Sequence, residues 1–468
     1  MPIAALYYKA SGTGTQAPRE RMGKGEDDTG VPTGMEKTED FRKVSTGMET
    51  FLDLLRNLFY NGKSNVEGGI CMVVERRRSL EKLEKFKDKS VIKIITGVRR
   101  SGKSTLLRQF AQRLRAQGVE DASILFIQLD RLENEHLREY HALYQEIMKH
   151  RRAGCMQYIF LDEVQLVPEF QRTVLSLFEQ ERLDLYLTGS NASLLSGELA
   201  TLLSGRYVEI AMLPLSFAEY CELANTAPAQ AWNTYVRCGG FPYLSQIEGE
   251  DEKRDYLQGI YHTVLLKDII ERHNVQDPYV LESILRFLMD NVGNLVTSKK
   301  IADSLTSFGR KTSPMTVEKY LRTLEEAFIL YRVSRFDIQG KQHLRFAGKY
   351  YVVDTGLRWL LLGDRGRDLG HVLENIVYLE LLRRGNHVFI GKFGDGEIDF
   401  VAEKGGARTY YQVSASILDP MTYERELAPL KKIKDNYPKF ILTLDTLPME
   451  DEGIRQINLL DFLLANVL

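Results

Sequence analysis

The fold is decided by the stretch Ile92-Lys93-Ile94-Ile95-Thr96-Gly97-Val98-Arg99-Arg100-Ser101-Gly102-Lys103-Ser104-Thr105. Its first part is rich in β-branched apolar residues, which predicts a buried parallel strand, and a helical pattern opens at Thr105. Between them lies the spacing G-x-x-x-x-G-K-S, which is typical of a loop that binds phosphate between a strand and a helix. The sequence therefore predicts an α/β fold with a parallel sheet and an anion site where this strand ends.

The residues of this loop are predicted to bind ATP. Glycines permit backbone conformations that side chains exclude, so successive N–H groups and the start of the next helix can point at one anion. Lys103 is expected to contact the β- and γ-phosphates, and the Ser104 hydroxyl to ligate Mg²⁺, which prefers oxygen. The residues predicted to contact the nucleotide are Gly97, Val98, Arg99, Arg100, Ser101, Gly102, Lys103, Ser104 and Thr105.

Two acidic residues follow a second apolar stretch, Tyr158-Ile159-Phe160-Leu161. A buried strand of this kind delivers the residues that follow it to the edge of the sheet where ligands bind. Asp162 is therefore predicted to ligate Mg²⁺, and Glu163 to act as the base that polarises the attacking water. The alternative is a strand end that carries two solvated acids.

Two further polar residues are candidates for catalysis. The predicted strand Leu183–Asn191 ends in small polar residues and would bring Asn191 or Ser190 within reach of the γ-phosphate or the water, although Gly-Ser-Asn is also ordinary turn chemistry. Arg206 precedes another strand and could stabilise transition-state charge in its own or a neighbouring subunit. A surface ion pair explains Arg206 about as well.

These motifs resemble those of the prokaryotic AAA-type ATPases that carry a C-terminal domain of unassigned function. The resemblance extends from about Met72 to Leu468 and rests on Gly97–Ser104, Phe160–Gln165, Thr188–Ala192, Leu202–Tyr207 and Leu213–Phe217. It implies a P-loop NTPase core over residues 72–222, with Asn191 in the sensor position and Arg206 as a candidate for the arginine that reads bound nucleotide. AAA-type domains often form rings, so a homo-oligomer is an open expectation.

Residues 223–335 are expected to form a helical lid and a small winged-helix-like unit. Gly239-Gly240-Phe241-Pro242 should end a helix, and in the resembled family this element lies in the lid. The segment 297–335 has a helix, a turn, a second helix and a strand, and Lys319 and Arg322 on its second helix are candidate phosphate contacts. Acidic residues on that helix, Glu318, Glu325 and Glu326, would repel a duplex, so DNA contact and internal packing both stay open.

Residues 336–468 resemble the restriction-endonuclease-like fold in the order of their acidic residues. Glu374 is expected on a helix and Asp399 on a strand, as in active members, which hold Mg²⁺ on such carboxylates. Those members end in an acid-x-lysine pair, which here falls on Gln412 and Ser414. Losing the carboxylate weakens the metal shell and losing the lysine removes a catalytic cation. This degenerate domain is therefore predicted to be inactive as a nuclease and to dock a protein partner.

The composition of the whole chain limits its class. Its 468 residues carry 62 Lys and Arg against 64 Asp and Glu, a formal net charge of -2, which gives no overall basic surface for nucleic acid. No apolar run is long enough to span a membrane, so a cytoplasmic location and no membrane partner are expected. The polar residues 1–71 are expected either to be disordered or to precede the true start at Met72, because codons for Glu67-Gly68-Gly69 could form a ribosome-binding sequence.

The leading functional hypothesis is a Mg²⁺-dependent ATPase whose nucleotide state moves the lid against a C-terminal binding domain. A second hypothesis is a nucleotide-gated scaffold with negligible turnover. A third is an ATP-driven DNA-processing protein.

Overall fold

The computed structural model describes residues 73–465 except 153, 196–202, 204, 265–268, 271–274, 339, 341, 365–368 and 395. The prediction for residues 1–71 lies outside this range. Residues 72–468 form one compact unit. None of the described helices is long and apolar enough to cross a bilayer.

Five of the described strands form a parallel sheet in the spatial order β2-β3-β4-β1-β5. They are β1 Ile92–Thr96, β2 Ile124–Gln128, β3 Gln157–Asp162, β4 Leu183–Gly189 and β5 Tyr207–Ala211. The helices that accompany them are α1 Arg77–Phe86, α2 Lys103–Ala116, α3 Tyr140–Lys149 and α4 Phe170–Phe178. Every residue of β1 and β3 is buried, because the sheet is covered on both faces. The predicted α/β fold is therefore confirmed, and the carboxyl ends of β1, β3 and β4 lie side by side.

The helical segment that follows contains α5 Phe217–Ala224, α6 Pro228–Cys238, α7 Glu250–His262 and α8 Pro278–Asp290. α6 ends at Gly239, whose φ of 83° is open to glycine, and Pro242 begins a short 3-10 helix. This is the helix end that the sequence predicts.

Nine of the described strands form a second, mixed sheet in the order β13-β14-β12-β11-β10-β9-β7-β8-β6. The strands are β6 Leu295–Val296, β7 Leu330–Asp337, β8 Gln342–Val352, β9 His387–Phe393, β10 Gly396–Lys404, β11 Ala407–Val413, β12 Lys439–Thr443, β13 Glu450–Asp451 and β14 Ile454–Asn458. The helices are α9 Ser298–Ser307, α10 Pro314–Glu326, α11 Thr355–Leu362, α12 Leu369–Arg383, α13 Pro420–Lys431 and α14 Leu459–Leu464.

The strand β7 joins two parts of the chain that the sequence suggests are separate. It pairs antiparallel with β8 and parallel with β9, so the sheet runs without interruption from the helix-turn-helix segment into the C-terminal segment. The predicted boundary between residues 335 and 336 falls inside this strand. One hydrophobic cluster likewise contains Val98 of the phosphate loop, Leu281 of α8 and Leu373 of α12. Because the parts share a core, a movement in one changes packing in the other.

Candidate functional site: a nucleotide-binding loop and its acidic neighbours

The predicted phosphate loop curls between the end of β1 and the start of α2. Gly97 and Gly102 have φ angles of 142° and 100°, which favour glycine. A Cβ on Gly97 would also lie 2.1 Å from the carbonyl oxygen of Met212. The Lys103 ammonium is buried and donates hydrogen bonds to the carbonyl oxygens of Gly97 and Val98, at 2.9 and 3.1 Å. The lysine amine thus lies against the backbone that is expected to surround the phosphates.

The hydroxyl of Ser104 meets the carboxylate of Asp162. Ser104 Oγ donates to Asp162 Oδ1 at 3.0 Å, and Thr188 Oγ1 donates to the same oxygen at 2.6 Å. Burial raises the pKa of Asp162, and the hydrogen bonds from Thr188 and Ser104 oppose that rise. A hydroxyl and a carboxylate side by side are hard oxygen donors, which fit Mg²⁺. The structure thus brings together the two residues predicted as metal ligands.

Glu163 lies beside Asp162 in a constrained position. Its φ is 58°, and its backbone N–H donates to Thr188 Oγ1 at 2.8 Å. Its carboxylate accepts a hydrogen bond from Ser190 Oγ at 3.1 Å and another from Gln165 Nε2, and Gln165 also donates to Ser190 at 3.2 Å. Burial alone would raise the pKa of Glu163, but the charge of Lys103 and these hydrogen bonds outweigh it and lower the pKa. The carboxylate is therefore ionised at neutral pH, as a base must be.

Sequence reasoning missed Thr188 and Gln165. Gln165 is two positions from Glu163 and Thr188 is three positions from Asn191, and both lie in quoted motifs, but no role was assigned to either. Their roles depend on β3 and β4 being neighbours, which the spacing along the chain does not show.

Asn191 is buried and follows β4, which lies between β1 and β3 in the sheet. This order places it at the same edge as the loop and the acidic pair. The 3-10 helix Ala192–Leu195 comes next and packs against α10. The residue predicted in the sensor position is therefore the last one before a contact with the helix-turn-helix segment.

Arg206 is located elsewhere. Its carbonyl oxygen accepts a hydrogen bond from the N–H of Ile92 at 2.8 Å, so it lies where β1 begins, whereas the loop follows the end of β1. The guanidinium lies 5.9 Å from the centre of the Phe178 ring. A strand of this length separates the two edges by about 16 Å. The structure does not bring Arg206 to the loop of its own chain, so a nucleotide contact requires a neighbouring chain.

The helical segment that was predicted to form a lid contacts the loop. The Arg100 guanidinium lies 5.5 Å from the ring centre of Tyr256 in α7, and the rings of Tyr256 and Tyr243 are 5.0 Å apart. A Cβ on Gly102 would lie 3.9 Å from Pro242 of the Gly-Gly-Phe-Pro element. The lid therefore touches the loop through aromatic residues that the sequence did not single out.

A second group of charged residues lies in the C-terminal segment. The Lys349 ammonium, from β8, lies 3.5 Å from Glu374, 2.8 Å from Glu397 and 3.9 Å from Asp399. Burial would lower the pKa of Lys349, but these carboxylates raise it above its ordinary value. Asp399 also accepts a hydrogen bond from the N–H of Val413 at 2.9 Å. The predicted acids do converge, and a lysine that sequence reasoning missed lies among them.

Gln412 accepts a hydrogen bond from the backbone N–H of Asp399 at 3.3 Å, and Gln412 and Ser414 also make contacts outside the acidic group. The amide of Gln412 donates to Glu426 at 2.8 Å, and the Ser414 hydroxyl donates to the carbonyl oxygen of Ser416 at 3.0 Å. Within the described part of the chain, no three His, Cys, Asp or Glu side chains are grouped so that they could hold a metal ion.

The parallel sheet, the phosphate loop and the acidic pair that ends β3 define an AAA-type P-loop nucleotide-binding protein. Residues 89–221 match the family model of the AAA domain, and residues 229–368 match that of a domain of unknown function. The chain belongs to a family of AAA-domain proteins that includes an uncharacterised protein of Haemophilus influenzae, 40% identical over 400 residues, which are 84% of this chain and 99% of that protein. An uncharacterised protein of Methanocaldococcus jannaschii is 28% identical over 79% of this chain and 85% of its own length.

Solved structures show weaker likeness. A Walker-type ATPase of Pyrococcus abyssi is 16% identical with a TM-score of 0.46, over 65% of this chain and 99% of that one. The Orc1 protein of Aeropyrum pernix, solved in complex with DNA, is 12% identical with a TM-score of 0.30, over 63% of this chain and 94% of that one. The restriction-endonuclease-like assignment of residues 336–468 stays a prediction.

Proposed function

We propose that the protein binds Mg·ATP and hydrolyses it, and that the nucleotide state moves the lid and the helix-turn-helix segment against the C-terminal sheet. The observation that carries the proposal is the 3.0 Å hydrogen bond between Ser104 and Asp162, two residues 58 positions apart that meet beside Lys103 and Glu163. This is the set of groups that nucleotide hydrolysis needs in one place.

Each residue has a chemical task in this proposal. Ser104 and Asp162 would hold the magnesium ion, which when bound supplies positive charge next to the phosphate oxygens. Lys103 would exchange its bonds to the carbonyl oxygens of Gly97 and Val98 for bonds to phosphate. Glu163 would accept the proton of the attacking water on its ionised carboxylate, and Asn191 would orient that water or the γ-phosphate.

Two physical connections support the coupling to the rest of the chain. Asn191 leads directly into the 3-10 helix Ala192–Leu195, which packs on α10. On the other side of the site, Pro242 lies beside Gly102, and the N–H of the nearby Gly240 donates to the carboxylate of Asp354 at the start of α11. A displacement of the loop by phosphate would therefore reach both segments through packed atoms.

The scaffold hypothesis has one observation in its favour. The Glu163 carboxylate is already bonded to Ser190 and Gln165, so it must reorient before it can serve a water. If it does not reorient, the protein holds ATP without turning it over. Tight Mg·ATP binding by calorimetry with no phosphate release would favour this alternative.

The DNA-processing hypothesis requires cleavage by the C-terminal segment. The position of Lys349 among Glu374, Glu397 and Asp399 argues against it, because an internal ammonium already compensates the charge that a metal would meet. Mg²⁺-dependent nicking of DNA that is abolished by Asp399→Ala would instead support cleavage.

Phosphate release from ATP tests the leading proposal. Lys103→Ala and Glu163→Gln should each lower turnover at least about 100-fold, in line with the loss of a phosphate contact or a catalytic base. Matched controls are the exposed residues Lys404 and Glu181, and Lys404→Ala and Glu181→Gln should leave turnover unchanged. ATP turnover that persists in both Lys103→Ala and Glu163→Gln would contradict hydrolysis at this site.

A further inference from the structure

We propose that α9 and α10 form a surface that binds duplex DNA through its phosphate backbone. The inference does not depend on hydrolysis at the nucleotide site. It starts from the order of the elements: α8, β6, α9, α10, β7 and β8, with β8 antiparallel to both β6 and β7. Two helices joined by a turn and backed by a three-stranded sheet form a winged helix, and this arrangement can present its second helix to a major groove.

One face of α10 is packed and the opposite face is open. Val317, Tyr320, Leu321 and Leu324 are buried in the core that the segment shares with its sheet. Met315, Lys319 and Arg322 are exposed, and their spacing of four and three residues places them on one face of the helix. The open face therefore carries two cations, and the half-buried Glu326, four residues after Arg322, lies at its C-terminal end.

The two helices and the turn between them carry further exposed cations. The exposed basic residues of the two helices and their turn are Lys299, Lys300, Arg310, Lys311, Lys319 and Arg322. Among the described residues, no side chain forms an ion pair with Lys299, Lys300, Lys311 or Lys319. Asp303 of α9 is the exposed acid among these described residues, so six cations against one exposed acid leave an excess of positive charge although the whole chain has a net charge of -2. Since each phosphate contact releases counterions, such a cluster favours a polyanion.

Two of the three acidic residues of α10, Glu318 and Glu325, oppose this charge less than the sequence alone suggests. Glu318 is paired with Arg332 of β7 at 3.0 Å, so its charge is already compensated. Glu325 is largely buried, and burial raises its pKa to about 7, against the opposing charge of Arg332. Glu326, in the last turn, is the one acid of α10 that shares the open face with Lys319 and Arg322, so this face keeps an excess of cations.

Duplex DNA fits better than other polyanions. The side chains of Phe308 and Met315 are 81% and 82% exposed at the turn and the start of α10, where a helix entering a major groove meets base edges and thymine methyl groups. The deep, narrow major groove of duplex RNA would exclude the helix. Because α10 also packs on the 3-10 helix after Asn191, this surface is mechanically connected to the nucleotide site.

Fluorescence anisotropy of a labelled mixed-sequence duplex of about two helical turns tests the proposal with the full chain. Wild-type protein should bind, with an affinity that falls as salt rises. The double variant Lys311→Ala/Lys319→Ala should bind the duplex at least about tenfold more weakly. The slope of its log affinity against log salt concentration should be smaller by the equivalent of about two phosphate contacts. The matched control Lys432→Ala/Lys434→Ala removes two exposed lysines of another surface and should bind like wild type.

Wild type should bind the duplex without added nucleotide, which separates this surface from the nucleotide site. The proposal is overturned if wild type does not bind duplex DNA at low salt, or if the control variant loses as much affinity as the test variant. Tighter binding of duplex RNA or polyglutamate than of duplex DNA would also overturn it. Circular dichroism of each variant confirms that its fold is retained.

Discussion

Asp354 accepts a hydrogen bond of 2.7 Å from the backbone N–H of Gly240, a residue 114 positions earlier in the chain. The other carboxylate oxygen accepts the N–H of Gly356 at 2.9 Å, so one buried side chain joins the lid element to the start of α11. Space at this contact is small: a Cβ on Gly239 would lie 1.8 Å from the Asp354 carboxylate, and one on Gly240 would lie 2.5 Å from the carbonyl oxygen of Leu215. Glycine is thus favoured at position 239 by the Asp354 carboxylate and at position 240 by the backbone of Leu215.

The titration of Asp354 should make stability depend on pH. Burial raises its pKa to about 7 from an ordinary value of 3.8, although the bonds from Gly240 and Gly356 oppose the rise. The folded protein therefore holds a proton that the unfolded chain loses, and this contribution to stability decreases as pH rises from about 4 to about 7. The stability of wild type relative to Asp354→Asn should fall across that interval.

Urea unfolding followed by tryptophan fluorescence measures this difference, because Trp359 lies in the helix that Asp354 caps. The side-chain amide in Asp354→Asn does not titrate, so this variant is the control for the pH dependence of wild type. A difference in unfolding free energy that stays constant between pH 4 and pH 8 would show that the Asp354 carboxyl does not titrate as described.

Gln165 and Ser190 should set the acidity of Glu163. Both hydrogen bonds lower the pKa of this carboxylate, so removing one raises it. In Gln165→Ala, the rise of kcat with pH should therefore occur at higher pH than in wild type, while the affinity for ATP changes less than about twofold. The control is Gln230→Ala, an exposed glutamine of α6. An unchanged pH profile in Gln165→Ala would argue against Glu163 as the base.

Lys349 should be needed for folding of the C-terminal sheet. Lys349→Met leaves Glu374, Glu397 and Asp399 without their common cation, and an uncompensated buried charge costs about 3–5 kcal/mol. The loss should be larger at neutral pH than near pH 5, because burial raises the pKa of Asp399 and this carboxyl takes up a proton as the pH falls. Lys404→Met, at an exposed position on β10, is the control for urea unfolding. Equal stability of the two variants would mean that the cluster is not compensated by this lysine.

Arg206 should act between subunits. Because it lies at the opposite edge of the sheet from its own loop, Arg206→Ala should retain the ATP affinity of wild type but lose turnover at least about tenfold. Mixing Arg206→Ala with Glu163→Gln should recover part of the activity, since each chain supplies the residue that the other lacks. Arg455→Ala, an exposed residue of β14, is the control. Unchanged ATP turnover in Arg206→Ala would mean that Arg206 is a surface cation without a role in hydrolysis.

Local pattern was enough to predict the strand, loop and helix around Lys103 and the strand that ends at Asp162. Each of these elements is encoded by neighbouring residues, and the parallel sheet then brings their ends to one edge whatever the intervening sequence. The helix end at Gly239 and the acidic residues of β10 were predicted for the same reason.

The sequence by itself determined the nucleotide-binding core, because a glycine-rich loop and an apolar strand impose their conformation within a few residues. Only the tertiary structure decided that Lys349 enters the acidic cluster, that Asp354 meets Gly240, that β7 joins two segments into one sheet, and that Arg206 lies away from its own loop. These relationships link residues far apart in the chain. These relationships depend on which strands and helices pack next to one another, and the spacing of residues along the sequence does not show this.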